Sequence, residues 1–531
     1  MLRLDAEPGT VAPGIGCFKA PAANRTSPRS FCRLALLFTA VLLVGCARLR
    51  PPQEAAPESR LSPTATARPA VHTQDELRAM VAGANVVICV IDAARADHIG
   101  CYGYPRLTTP SIDRLSAEAL TFENHFCQAP MTKLSTTSLL TGLYPDTHTA
   151  YEYRKLRPGT FTLATALRSA GLRSAFVSAN LNASPRMGIG GDFEFTATMW
   201  EFGRERVNPE QPALGTGAPE GKKSRYCPSR WLDTFSRWLA DNRDSRFCAY
   251  VHLMPPHKPY AAPKKLKRIF AGENPPTAWQ GDFPFPGLEP EAEHADTLPL
   301  GEWVNLYDAN LRWADEGVAQ LVRLLSRSGV LDNTLLIVTS DHGEAFGEHG
   351  YIDHNRGVYD ELLHIPLLLR FPGGAVVGRV PALTQTVDIL PTICDLLEVP
   401  CPDTVQGRSL LPLIAGDTDS VNDYVFARCC GETPSYLVRT SDHALMLYQG
   451  GRLRCLFDLK RDPRQLANVI DEKPQEAERL VGVFRGFLHT QTRKPVRFLD
   501  PSAKEPPPEQ QAVVQISEDT RRELRALGYL Q

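Results

Sequence analysis

The stretch Thr334-Leu-Leu-Ile-Val-Thr-Ser-Asp341-His342-Gly constrains this chain most. Its apolar run is too short for an ordinary helix and reads as a buried strand. The strand delivers a carboxylate and an imidazole side by side at its carboxyl end. Ligands of open α/β sheets bind at that end, and carboxylate plus imidazole is a usual ligand pair for Zn²⁺ or Mn²⁺. A surface turn could carry the same two residues with no role, so the pair gains meaning from its company. A second strand, Asn85-Val-Val-Ile-Cys-Val-Ile-Asp92, also ends in an acid.

Further strand-like runs at 173–179, 248–253 and 364–371 alternate with helical patterns at Thr162–Ala170 and Leu306–Ser326. Such alternation predicts an α/β fold, a mixed and mostly parallel sheet flanked by helices. Residues 201–226 and 262–300, rich in Pro, Gly and Glu, read as surface insertions that shape substrate access. After about residue 415 the pattern changes. Short strands at Tyr424, Ser435, Ala444 and Arg454, followed by a helix Pro474–His489, predict a small C-terminal antiparallel-sheet subdomain. The expected division is 85–415 for the main domain, 416–500 for the subdomain and 501–531 for a loose tail.

The amino-terminal end reads as a targeting segment. Arg25, Arg29 and Arg33 precede an apolar run, Leu34 to Val44, too short to span a bilayer comfortably. Leu43-Val-Gly-Cys46 resembles a bacterial lipobox, which makes 1–46 a lipoprotein signal peptide and Cys46 the lipidated residue. An ordinary signal peptide with an incidental cysteine is the alternative. Ala47 does not resemble an inner-membrane retention signal, which favours the outer membrane. Residues 47–84, rich in Pro, Ala, Arg, Ser and Thr at first, read as a flexible tether. The expected location is the bacterial cell envelope, on the periplasmic side, with membrane contact through the lipid anchor.

Composition excludes some classes. A formal charge of −2 gives no nucleic-acid signature, and no 20-residue apolar span marks a polytopic membrane protein. Of thirteen cysteines, Cys17, Cys32 and Cys46 fall in the leader, leaving ten where an oxidising compartment permits disulfides. Cys394 and Cys401 are close in sequence, Cys429 and Cys430 are adjacent, and Cys89 sits inside an apolar strand. None has metal-finger spacing.

Several ordered segments carry a family resemblance. Asp92-Ala-Ala-Arg95-Ala-Asp-His-Ile-Gly-Cys-Tyr-Gly-Tyr is followed by Thr108-Thr-Pro-Ser-Ile-Asp, then Ala129-Pro-Met-Thr132-Lys133-Leu-Ser-Thr-Thr-Ser-Leu-Leu-Thr-Gly142. Tyr250-Val-His-Leu-Met-Pro-Pro-His257-Lys-Pro-Tyr, the Asp341-His342 segment and Tyr359-Asp-Glu-Leu-Leu-His-Ile-Pro follow. Together with Leu456-Phe-Asp-Leu-Lys-Arg-Asp-Pro and a terminal Leu527-Gly-Tyr-Leu, they resemble the sulfatase branch of the alkaline phosphatase superfamily. The resemblance implies an alkaline-phosphatase-like fold and a metal-dependent hydrolase of sulfate- or phosphate-type esters.

It also implies a site. Thr132 matches the nucleophile, which in sulfatases is a cysteine or serine oxidised to formylglycine, with Pro two residues on and Arg four on. Here Leu134 and Thr136 stand in those places. Threonine cannot become formylglycine, because its β-carbon carries a methyl and oxidation would give a ketone. A threonine alkoxide suits phosphate or phosphonate esters instead; a helix N-cap is the plain alternative for the residue. Asp92, Asp341 and His342 match metal ligands, with Thr132 completing the set. Ala93 replaces a second aspartate of the family, and the imidazole shifts preference from Ca²⁺, still possible, toward Zn²⁺ or Mn²⁺.

Arg95 resembles an arginine near the family site, with an ion pair to Asp97 as the alternative, and Lys133 is the cation nearest in sequence to Thr132. His257 and His354 match positions that contact the ester or leaving group, where either could donate a proton or bind a second metal. His148, His252 and His349 recur in such motifs and read equally well as structural. Expected partners are a small anionic ester or an envelope lipid or glycan. Two other functions fit the same residues. One is a phosphoethanolamine- or phosphoglycerol-type transferase of the envelope; the other is a non-catalytic binding lipoprotein.

Overall fold

The computed structural model describes residues 72–151, 154–199, 224–275, 299–354, 356–429, 434–448 and 453–492, all within one compact unit, Ser62–Gln531. The signal peptide, Cys46, the tail 501–531 and most of both expected insertions lie outside the described residues.

An eight-stranded sheet runs in the order β10-β2-β9-β6-β1-β5-β3-β4. Its strands are β1 Asn85–Ile91, β2 Leu120–Phe126, β3 Arg173–Ser178, β4 Phe195–Thr198, β5 Phe247–Leu253, β6 Thr334–Ser340, β9 Leu367–Arg370 and β10 Gly378–Gln385. Only β9 runs against its neighbours, β2 and β6; the other pairings are parallel. A small ribbon, β7 Ala345–Phe346 and β8 Ile352–Asp353, lies between β6 and β9 in sequence. The chain therefore has the expected mixed, mostly parallel α/β fold.

The sheet is buried on both faces, as its continuous apolar strands require. Val87, Cys89 and Ile91 of β1 enter one core cluster, while Val86, Ile88 and Val90 enter the other. A long helix, Leu300–Arg327, covers the first face with Trp303, Tyr307, Leu311, Ala314, Val318, Leu321 and Leu325. These recur at three- and four-residue steps, the stripe of an amphipathic helix.

Residues 74–81 correct the expected 47–84 tether. They form α1, Gln74–Val81, opened by a capping box between Thr73 and Glu76. Leu77 and Val81 are fully buried in the second core cluster, and Arg78 pairs with Asp395 at 2.8 Å. The Pro/Ala/Ser/Thr composition of the preceding residues concealed a two-turn helix whose apolar positions lie four apart. The expected insertion 262–300 likewise contains a helix, Lys264–Phe270.

The C-terminal part is a four-stranded antiparallel sheet, β11 Val425–Arg428, β12 Tyr436–Arg439, β13 His443–Tyr448 and β14 Leu453–Asp458. Alternate residues serve two cores. Leu437, Ala444 and Met446 face one, whereas Tyr436, Val438, Leu445 and Leu447 face the helix Pro474–His489 through Leu480, Val481, Phe484 and Leu488.

Because Leu77 is fully buried, Leu77→Ala should cost about 2–5 kcal/mol of unfolding free energy. Urea denaturation checks this; a cost below about 0.5 kcal/mol would return α1 to the tether.

Candidate active site

Strand register assembles the site. Ile91 of β1 is level with Ser340 of β6 and with Leu253 of β5, and Ser178 of β3 is level with His252. The next residues, Asp92 and Asp341, therefore leave adjacent parallel strands at one edge, with His252 beside them and Asn180 two residues past β3. Gly343 lets the chain turn after His342: a Cβ there would fall 2.0 Å from the Glu361 carbonyl oxygen.

The helix α2, Thr132–Thr141, is buried throughout and begins at this edge. Its N-cap is Met131, not Thr132, and no side chain caps it. The Thr132 hydroxyl is used otherwise. It lies 3.2 Å from His342 Nε2 and accepts from Asn180 Nδ2 at 3.2 Å.

Each of the two aspartates has one satisfied oxygen and one bare one. Asp92 Oδ2 accepts from Asn180 Nδ2, and His252 Nε2 lies 3.1 Å away. Asp341 Oδ1 accepts the backbone N–H groups of Ala93 and His342, both at 3.0 Å. Asp92 Oδ1 and Asp341 Oδ2 are buried with no hydrogen-bond partner. His342 Nδ1 lies 2.8 Å from the Gly343 carbonyl oxygen, which can only accept, so Nδ1 carries the proton. Burial pushes the His342 pKa down, with His354 adding to it, and the ring is neutral. Its Nε2 lone pair then faces Asp341 Oδ2 at 3.6 Å and Asp92 Oδ1 at 3.8 Å.

Such an arrangement is unfavourable by itself. Two carboxylates within 4.8 Å of one another repel by about 3–4 kcal/mol at an effective dielectric of 20, and a nitrogen lone pair aimed at them adds to it. A cation between them removes the conflict. Asp92, Asp341, His342 and the Thr132 hydroxyl thus fit one divalent metal ion, and the bare oxygens are the evidence of fit.

The backbone is strained to hold this geometry. Ala93 has φ 60°, a left-handed conformation that costs a non-glycine residue about 1–2 kcal/mol. Its N–H bonds Asp341, and its carbonyl accepts from Tyr307 at 2.8 Å. The residue that replaces the family's second aspartate therefore orients the first oxygen of Asp341 through its backbone.

Three histidines meet here. His342 stacks on His354 with centroids 4.3 Å apart, and His257 lies edge-on to His354 at 5.0 Å. Asn310 reaches the carbonyls of Pro256, His257 and Pro259 and so supports the His257 turn. Burial opposes charge on His354, yet Glu344 and Asp353, 3.1 and 2.9 Å from Nδ1, raise its pKa well above the ordinary value. Glu344, Asp353 and His354 also have metal-ligand spacing. Lys258 sits 3.0 Å from Asp353, however, so Lys258 and protonated His354 balance the two carboxylates without an ion.

Arg95 is held in ion pairs. It binds Asp97 at 2.7 Å and Glu348 at 2.6 Å, and its third contact is the Glu344 carbonyl at 2.9 Å. It braces the loop after His342. Lys133 is buried within electrostatic reach of His148, whose pKa is pushed to about 3 by burial, with Arg428 and Lys133 adding to it. His349 is fixed between Glu361 and the Gln465 carbonyl, stacked on Tyr359. His252 is drawn into the site: burial opposes its charge, but Asp92 and then Asp341 raise its pKa. Tyr250 lies 2.9 Å from its other nitrogen.

Sequence reasoning missed Asn180. Its signal is a position just beyond β3, a strand that pairs with β5, the neighbour of β1.

Comparison with known proteins shows the family of the chain. A family model described as Sulfatase matches residues 84–399, and one described as N-sulphoglucosamine sulphohydrolase, C-terminal, matches 347–484. An arylsulfatase of Clostridium perfringens is 24% identical over 447 residues, covering 73% of this chain and 90% of that one. The multifunctional alkaline phosphatase superfamily protein PehA of Trinickia caryophylli is 26% identical, covering 72% and 91%. The crystal structure of a phosphonate monoester hydrolase of Agrobacterium radiobacter superposes with a TM-score of 0.65 at 22% identity, covering 77% and 95%. The chain belongs to the sulfatase family and is an ester hydrolase of that family.

Asn180 and His252 hold the unliganded oxygen of Asp92, so Asn180→Ala and His252→Ala should each weaken divalent-metal binding by about 10–100-fold. Isothermal titration with Zn²⁺ or Mn²⁺ measures this. Unchanged affinity in both variants would show that Asp92 needs no such support.

Proposed function

We propose that this chain hydrolyses phosphate or phosphonate esters rather than sulfate esters, with Thr132 as nucleophile and Zn²⁺ or Mn²⁺ as the metal. The observation that carries the reading is the Thr132 hydroxyl, shared between Asn180 and the lone pair of His342 beside two bare carboxylate oxygens. The donor set of two carboxylate oxygens, one imidazole nitrogen and a hydroxyl suits Zn²⁺ or Mn²⁺ better than Ca²⁺. A divalent cation held there would lower the pKa of the Thr132 hydroxyl and polarise the ester oxygen.

The protein's own groups supply the rest. Thr132 Oγ, its hydroxyl proton released to solvent, forms a bond to phosphorus as the bond to the leaving oxygen breaks, giving a phosphorylated or phosphonylated threonine. His354, held protonated by Glu344 and Asp353, donates a proton to the departing oxygen, and His257 lies close enough to share that task. Water then cleaves the threonine ester. A threonine cannot follow the aldehyde-hydrate route to sulfate release, which argues against sulfate esters as the substrate. Structures of phosphonate monoester hydrolases stand among the neighbours that share this fold, which supports the reading. We further propose export as a lipoprotein anchored through Cys46 in a bacterial envelope, facing a small ester or an envelope lipid or glycan.

Turnover of nitrophenyl phosphodiester, phosphonate and sulfate by the metal-loaded protein tests the reading. Phosphoester activity should fall about 10⁴–10⁶-fold in Thr132→Ala, while Thr132→Ser keeps the hydroxyl and most of the rate. Sulfate turnover lost in Thr132→Ala would overturn the substrate assignment. Silence on all esters with metal bound would favour the transferase or binding alternatives.

The proton donor has its own test. Deprotonation of His354 removes the acid, so the rate should fall as pH rises through its elevated pKa. His354→Gln should flatten that alkaline limb and slow alkyl esters by about 10²–10⁴-fold, leaving nitrophenyl esters less affected. Equal losses for both leaving groups would assign His354 to binding.

A further inference from the structure

A cavity of about 380 Å³ lies along the second half of α2. None of the residues assigned above to the metal site or to the proton donor lines it. Its walls come from Thr137, Leu140 and Thr141 of α2, from residues 155–165 and from the loop 185–193. Sites for small molecules hold about 300–1,000 Å³, so the space suits one ligand of that size.

One side of the cavity is built for an anion. Lys155 and Arg157 both line it, and Lys155 has no ion pair among the described residues. The loop beside Lys155 is rich in glycine and packs tightly on it: a Cβ on Gly188 would fall 3.0 Å from Lys155 Cα. Gly188 and Gly190 take left-handed φ values of 87° and 74°. The next N–H groups, those of Gly190, Gly191 and Asp192, donate to no acceptor among the described residues, although Gly190 is buried. A buried N–H without an acceptor is rare, and successive N–H groups around left-handed residues form anion-binding concavities. Asp192 is the one carboxylate among the lining residues, and the Thr162 hydroxyl engages it.

The threonines set a second requirement. Thr137, Thr141 and Thr160 donate their hydroxyl protons to the carbonyls of Lys133, Thr137 and Arg157, each at 2.7 Å. A hydroxyl has one proton to give, so to a ligand these three can only accept. The ligand must bring its own O–H donors.

We propose that this cavity is a second ligand site, for a small anionic sugar of the hexuronate or hexose phosphate class. Its carboxylate or phosphate sits with Lys155, Arg157 and the N–H groups of residues 190–192, and its hydroxyls donate to the threonines. Two elements join the cavity to the active site. Thr132 begins α2, and Asn180, which donates to the Thr132 hydroxyl, lies five residues before the loop 185–193. The proposal does not depend on which ester the chain hydrolyses.

Isothermal titration of the full chain with glucuronate tests it, because glucuronate has no ester to be turned over. Glucuronate should bind with a Kd of about 1 mM or tighter, equally in metal-loaded and EDTA-treated protein. Glucose 6-phosphate, titrated into EDTA-treated protein, is the phosphate arm. Glucose lacks the charge and acetate lacks the hydroxyls, so each should bind about tenfold or more weakly than glucuronate. Lys155→Glu, at an exposed position, should weaken glucuronate by about tenfold or more, and Thr141→Val should weaken it as well. Absence of binding by both glucuronate and glucose 6-phosphate would overturn the proposal. So would glucuronate binding that is lost with the metal, which would place the sugar at the active site, or binding unchanged in Lys155→Glu.

Discussion

The conflict between two neighbouring buried carboxylates organises the centre of this protein. Asp92 and Asp341 each have one oxygen tied to two N–H groups and one oxygen left bare, and the bare oxygens converge with an imidazole lone pair. Such a group of acceptors is not stable without a cation. The fold works against that repulsion: parallel register fixes both backbones, and a left-handed Ala93 aims an N–H at Asp341. Core packing on both faces of the sheet supplies the rigidity. Bare oxygens can be kept in place because the satisfied ones cannot move.

The same geometry brings one helix turn to the two acids. Thr132 begins α2 where β1 and β6 end, so its hydroxyl reaches the nitrogen that faces both acids. Around it the remaining charges divide into separate duties. Arg95 neutralises Asp97 and Glu348 and braces a loop, while Lys258 and His354 balance Asp353 and Glu344. This division leaves the net negative charge of the centre at Asp92 and Asp341, where a cation is needed.

Much of this was legible in the sequence, for physical reasons. Strands β1, β5 and β6 are buried on both faces and therefore read as unbroken apolar runs, and their terminal Asp92 and Asp341 stand out. Strand β10 was hidden because Pro381 interrupts it, and the pairing with β2 shifts register between Val380 and Leu383. Strand β2, Leu-Thr-Phe-Glu-Asn-His-Phe, alternates polar and apolar residues too irregularly to announce itself. Asn180 was invisible because an amide after a strand has no motif; only the pairing of β3 with β5 brings it to Asp92. For Arg95 the sequence left two readings open, a place near the ester or an ion pair with Asp97, and the guanidinium is found paired with Asp97 and with Glu348, far along the chain. His252 could not be separated from His148 and His349 by sequence, since all three are buried histidines in polar company.

The central claim is that the bare oxygens hold one metal ion that makes Thr132 the nucleophile. Anomalous diffraction from crystals soaked with Zn²⁺ and orthovanadate tests it most directly. The expected map has a zinc peak about 2.0–2.2 Å from Asp92 Oδ1, Asp341 Oδ2 and His342 Nε2, with vanadium bonded to Thr132 Oγ. Zinc seated instead among Glu344, Asp353 and His354, or vanadium bonded to any other side chain, would contradict it.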